Sequence, residues 1–197
     1  MLQENNKLNS TKTNMNKKHH ITPHKRMKPG QVAMLSVCLV LGLLVLLSYG
    51  VLLKQHDMTS LWQGMSPSNQ YVYYAFMVLA ALGFCGFVVW YLTNTSEMSG
   101  IFKHEWLAPT VMAVLLCASA LWSVFVSLGK TNKAWPVLVS VMLVVTALST
   151  IVLVAGTVES EVAPWYALAG ILLFGLTTVL GDAVGWNAKF ILANLKK

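Results

Sequence analysis

Five blocks of roughly twenty apolar residues, each bounded by tryptophan, proline or lysine, set the pattern of this chain. They cover about 32–53, 71–93, 107–128, 136–158 and 165–188. The first four blocks hold no charged side chain and the fifth holds one, Asp182. At about 1.5 Å rise per residue, each block as a helix matches a hydrocarbon core about 30 Å thick. Segments this long cannot be buried one inside another in a soluble domain of 197 residues. The pattern therefore predicts an all-α fold: a polytopic membrane protein built as a bundle of five transmembrane helices.

The polar stretches between the blocks complete the layout. Residues 1–30 are rich in Asn, Lys, Thr and His and lack apolar periodicity, which predicts a disordered basic tail closed by Met27-Lys28-Pro29-Gly30. A cleaved signal is the competing reading of the first block, but about 22 apolar residues exceed the roughly 7–15 of a signal core. The stretch 54–70 is the longest loop. Tyr71, Tyr73 and Tyr74 open the second block, and Trp90 and Tyr91 close it, as interfacial anchoring predicts. Pro109 falls in the first turn of the third block, where a missing N–H costs nothing. The third and fourth blocks are separated by so few residues, 129–134, that they form an antiparallel helical hairpin. Residues 189–197 make a short basic C-terminal end.

Composition sharpens this picture. Hydrophobic residues make up 56% of the chain and charged residues 11%, which leaves no polar piece large enough to bury a core of its own. Function must then sit in the bundle, on its rims or in the tail. Half of the fourteen basic residues fall in the first 30 positions, opposed only by Glu4. Lys17, Lys18, Lys25, Arg26 and Lys28 crowd the start of the first span. Anionic lipid headgroups are their expected partner, at about 1 kcal/mol per residue, and nucleic acid is not. The same cluster predicts a cytoplasmic N-terminus. That orientation places eight basic residues inside and six outside, so the tail alone decides it. Cys38, Cys85 and Cys117 all lie in spans, an odd count that argues against a disulfide framework.

Asp182 is the sharpest candidate for chemistry. An ionised carboxylate at bilayer centre costs at least about 2.5–3.5 kcal/mol, so such a residue faces a partner, a cavity or water. One reading makes it a proton- or cation-binding carboxylate. The other makes it a rim residue, hydrated or paired with Lys189, Asn187 or a neighbouring helix. Gly181 and Gly185 frame it in a GxxxG pattern that lets another helix approach closely. Ser119, Ser123 and Ser127 form a stripe at i, i+4 spacing, either a polar pathway or a packing face. Thr146, Ser149 and Thr150 on the fourth block are its natural partners.

No metal or cofactor is expected. The five histidines are split between the tail and separate loops, and no HExxH or CxxC pattern occurs. Phosphate-cradling glycine loops, a GxSxG elbow and paired catalytic carboxylates are missing too. The chain is thus expected to be no enzyme. Its expected role is an assembly, scaffolding or partner-binding component, alone as a homo-oligomer or with other membrane proteins. The alternative is a small oligomeric channel or transporter using Asp182 and the serine stripe. In span number and its seven tryptophans the chain resembles the tryptophan-rich sensory and translocator proteins. The resemblance stops there. The loop at 54–70 has one tryptophan, Trp62, and one proline, Pro67, where that family has a loop rich in both, and no ligand or residue role carries over.

Overall fold

A computed structural model of the chain describes residues 26–55, 66–94, 98–128 and 135–188. Among them every regular element is helical. Five long helices follow in order: α1 (Pro29–Gln55), α2 (Pro67–Thr93), α3 (Leu107–Leu128), α4 (Trp135–Val158) and α5, which starts at Trp165. A one-turn 3₁₀ helix, Gly100–Lys103, lies between α2 and α3. All five long helices are long and apolar enough to cross a membrane. The tail before residue 26, including Lys17, Lys18 and Lys25, lies outside the described residues, as does the C-terminal end from 189.

The first helix begins earlier than the apolar pattern suggests, at Pro29 rather than 32. Its start is an N-terminal cap read off four residues. Lys28 accepts at its carbonyl from the N–H groups of Gln31 and Val32 (2.9 and 3.1 Å). Pro29 takes the first helical position, where its fixed φ suits the helix and no N–H is missed. Gln31, three residues past the cap, reaches back so that its Oε1 accepts from the Lys28 N–H at 2.9 Å, as in a capping box. Of the stretch expected to be a tail, residues 26–28 are described without regular structure, and Pro29 and Gly30 are already helical.

The helices stand in the spatial order α1, α3, α4, α5, α2, a curved row with α3 and α4 packed most closely. Its two free edges, α1 and α2, touch each other only lightly. Successive helices reverse direction along the chain, so the neighbours α1 and α3 run parallel while α3–α4, α4–α5 and α5–α2 run antiparallel, and the bundle has two unlike ends. The proximal end holds the start of α1, the end of α2 and the 98–106 connection. The distal end holds the last turns of α5. A proximal core gathers Met34, Phe87, Phe102, Met112, Leu153 and Ile171, at least one from each long helix. A smaller distal cluster gathers Val139, Leu143 and Trp186, with Tyr73, Trp122 and Phe125 against it.

Helix-surface periodicity explains which side chains enter these cores. On α1, Met34, Val37, Cys38, Leu41 and Val45 recur every three or four residues and face inward. Leu39, Leu43 and Leu46 on the opposite side are exposed. Two glycines allow a backbone-to-backbone helix crossing. A Cβ on Gly83 of α2 would lie 2.9 Å from the Gly170 Cα of α5, and the converse distance is also 2.9 Å. Backbone meets backbone there. A third glycine, Gly156 on α4, leaves room for the ring of Phe102, which the proximal connection drops into the core.

Candidate functional site

The distal end of α5 departs from α-helical geometry. From Leu176 to Trp186 the chain winds as a π-helix, continuous with the α-helical Trp165–Gly175. The Asn187 N–H reaches the Asp182 carbonyl, five residues back. Such wide turns are rare and occur frequently at functional sites. The segment carries most of the α5 residues marked out by the sequence: Gly181, Asp182 and Gly185.

Asp182 is half-buried, and the Tyr73 hydroxyl of α2 donates a hydrogen bond to its Oδ1. Gly181 makes room for that tyrosine, since a Cβ there would stand 3.1 Å from the Tyr73 Oη. Gly185 does not share the contact. The nearest atom to a Cβ at Gly185 is the Leu180 carbonyl oxygen of its own wide turn, at 3.1 Å. Among the described residues, only the first glycine of the GxxxG pattern thus faces a neighbouring helix through its missing side chain.

Aromatic rings flank the pair. Tyr49 of α1 stands edge-on to Trp122 of α3, with centroids 5.7 Å apart. Trp122 in turn meets Trp186 of α5 at 5.5 Å. One residue on, the buried Asn187 accepts at Oδ1 from the Ser140 hydroxyl of α4 at 2.6 Å. That hydroxyl also lies 3.0 Å from the Pro136 carbonyl of its own helix. The amide that the sequence offered as a partner for Asp182 is therefore engaged with α4. Lys189, the other candidate, lies outside the described residues.

The serine stripe is placed differently from Asp182. Ser123 is fully buried, and its hydroxyl donates to the Ala120 carbonyl of its own helix at 2.8 Å. Ser119 is half-buried, and the Ser127 side chain is outside the described residues. Across the hairpin, Thr146 and Thr150 also donate backwards, to the Met142 and Thr146 carbonyls (2.9 and 2.8 Å). A hydroxyl has one proton, so these groups spend it within their own helices. The described part of the basic cluster is Arg26, exposed, and Lys28, half-buried at the proximal end.

Sequence reading missed Tyr73 as a site residue and took it only as an interfacial anchor. A usable signal was present. Tyr73 stands three residues into its span and Asp182 six before the end of its own, so antiparallel helices bring them to similar depth. It also missed Gln31, whose Nε2 donates to the carbonyls of Tyr91, Leu92 and Asn94 at 3.2, 2.9 and 2.8 Å.

Chemically, the distal constellation offers one carboxylate, one phenol and an aromatic surround. It pairs an acid with a hydrogen-bond donor on a neighbouring helix. Among the described residues no three of His, Cys, Asp and Glu converge to hold a metal ion. Fold and site define an all-helical protein with five helices able to span a membrane and one helix-bridging carboxylate. No family model, curated protein or solved structure matches the chain, so a functional reading rests on this geometry alone.

Proposed function

We propose that this chain is an integral, multi-pass membrane protein that works without catalysis, as a partner-binding component of a membrane assembly. The observation that carries this reading is the uneven burial of its helices. In their most apolar windows α1 and α2 bury only 6% and 11% of residues inside the bundle, against 33–39% for the other three. These two helices form the free edges of the row and present Leu39, Leu43 and Leu46 on α1, and Val78, Leu82 and Val89 on α2. Such faces suit lateral docking of another apolar helix, by close packing rather than by a hydrophobic drive. The basic segment before α1 supports a cytoplasmic N-terminus and contact with anionic headgroups.

Photo-crosslinking in native membranes tests the reading. A crosslinker at Leu39, Leu46 or Leu82 is expected to give one protein adduct of fixed mass, corresponding to a second copy or one other protein. At Leu148, on the outer stripe of α4, it is expected to give lipid adducts only. Lipid adducts alone at all four positions would overturn the proposal.

A second reading draws on the Tyr73–Asp182 bond. A carboxylate that bridges two helices inside a span is a natural proton- or cation-binding group. In reconstituted vesicles with a pH- or ion-sensitive dye, it requires flux in the wild type that Asp182→Asn abolishes. Equal flux in both, or none in the wild type, removes it.

A further inference from the structure

The proximal end carries a cleft of about 540 Å³ that neither reading above uses, within the size range of ligand sites. Three elements build it: the start of α1, the last residues of α2 and the connection leading into α3. Its rim is basic, with Lys28, Lys103 and His104 against a single acid, Glu105, and its aromatic walls are Tyr91, Phe102 and Trp106. Trp106 is 57% exposed, an amphipathic ring set at the helix ends where an interfacial belt would lie.

The backbone around the cleft also favours an anion. α1 and α3 both begin there, so the positive ends of two helix dipoles point toward it. α2 ends there, and its last carbonyls would oppose an anion. The Gln31 amide covers those carbonyls by donating to Tyr91, Leu92 and Asn94. The walls are fixed in advance. The Tyr91 hydroxyl donates to the Glu105 carbonyl at 3.1 Å. Gly30 lets the connection press against α1, since a Cβ there would sit 3.1 Å from the Glu105 Cβ.

We infer that this cleft binds the phosphate of an anionic lipid headgroup, with Lys103, His104 and Lys28 facing the phosphate and Trp106 beside the glycerol and upper acyl chain. The inference rests on the chain spanning a membrane, which alkaline carbonate extraction checks separately, and is independent of any protein partner. A soluble phosphate ester would share the same basic rim but would gain nothing from an interfacial tryptophan.

The test uses the full chain purified in detergent, with lipid retention measured by native mass spectrometry. Short-chain phosphatidylglycerol, phosphatidylcholine and glycerol 3-phosphate are titrated in turn. One phosphatidylglycerol per chain is expected to bind more tightly than phosphatidylcholine, with little competition from glycerol 3-phosphate. Lys28→Gln with Lys103→Gln should weaken it about thirtyfold, at roughly one lysine's surface attraction each. Lys54→Gln, at the end of α1 away from the cleft, should leave it unchanged. Glu105→Gln should tighten binding severalfold, a change of sign that a merely structural role would not produce. Equal affinity of the double-lysine variant and the wild type, or no preference over phosphatidylcholine, would overturn the inference. Equal competition by glycerol 3-phosphate would overturn the lipid assignment and give the cleft to a soluble phosphate.

Discussion

The hydrogen bonds that join one element to another differ in kind between the two ends of the bundle. At the proximal end side chains bind backbone. Gln31 holds three carbonyls of the α2 terminus, Tyr91 holds the Glu105 carbonyl, and Glu159 accepts from the Ile101 N–H at 3.1 Å. At the distal end side chains bind side chains: Tyr73 with Asp182, and Ser140 with Asn187. A backbone partner cannot rotate away or change its charge, so the proximal contacts clamp helix ends in place. A side-chain pair can exchange partners or protons. The proximal end is built to hold position, and the distal end has the parts to change it.

The largest expected effect comes from breaking what both ends share, the α2–α5 crossing. Gly170→Leu would drive a side chain into the Gly83 backbone, where nothing flexible can yield. A loss of at least about 3 kcal/mol is expected, at the upper end of overpacking costs, with both ends loosened together. Thermal unfolding in detergent measures it. Gly42→Leu is the control, since a Cβ at Gly42 meets nothing within 4 Å and should shift stability by less than about 0.5 kcal/mol. If the two variants melted alike, the crossing would not be the element that joins the ends.

Next is the clamp itself. Gln31→Leu keeps the buried volume but strips partners from carbonyls of Tyr91, Leu92 and Asn94, at an expected cost of about 2–3 kcal/mol. Hydrogen exchange should rise at the start of α1 and the end of α2 and stay unchanged around Asp182. Exchange rising equally at both ends would erase the contrast between them. Gly100→Ala sharpens the same point more gently. Gly100 sits at φ 62°, and a side chain in that left-handed region costs about 1–2 kcal/mol. A Cβ there would also press on Glu159, so the stitch between the 98–103 and 159–161 segments should loosen while α5 stays as it is.

The sequence disclosed the number and order of the helices because each span announces itself within some twenty consecutive residues, but not their full length: α1 and α2 each run 27 residues, past the 32–53 and 71–93 of the apolar pattern. It disclosed Asp182 for the same reason, as a charge standing alone in an apolar run. The partners were hidden because they are distant in the chain: Tyr73 lies 109 positions from Asp182, and Gln31 lies 60 to 63 positions from its carbonyls. Periodicity shows which face a helix buries but not which neighbour covers it. It also assumes 3.6 residues per turn, and the π-helical stretch from Leu176 to Trp186 breaks that assumption at the place where GxxxG was read. The serine stripe illustrates a different limit. Spacing put the hydroxyls on one face, yet those of Ser123, Thr146 and Thr150 turn to carbonyls of their own helices, a choice local geometry makes and spacing does not reveal.

The smallest expected effect asks whether the distal pair is a fastener or a working group. Tyr73→Phe removes the donor and Asp182→Asn removes the charge while keeping the shape, so a double-mutant cycle isolates their coupling. Hydrogen bonds between membrane helices average about 0.6 kcal/mol, and a coupling of that size is expected if the pair only ties α2 to α5. In that case Asp182→Asn should unfold within about 1 kcal/mol of the wild type and keep its crosslinking pattern, because an amide oxygen still accepts from Tyr73. A coupling well above 1.7 kcal/mol, the upper end for such bonds, would mean that Tyr73 stabilises a buried charge rather than sharing an ordinary hydrogen bond. The distal end would then differ from the proximal one in energy as well as in geometry, and the flux experiment on Asp182→Asn would become the decisive one.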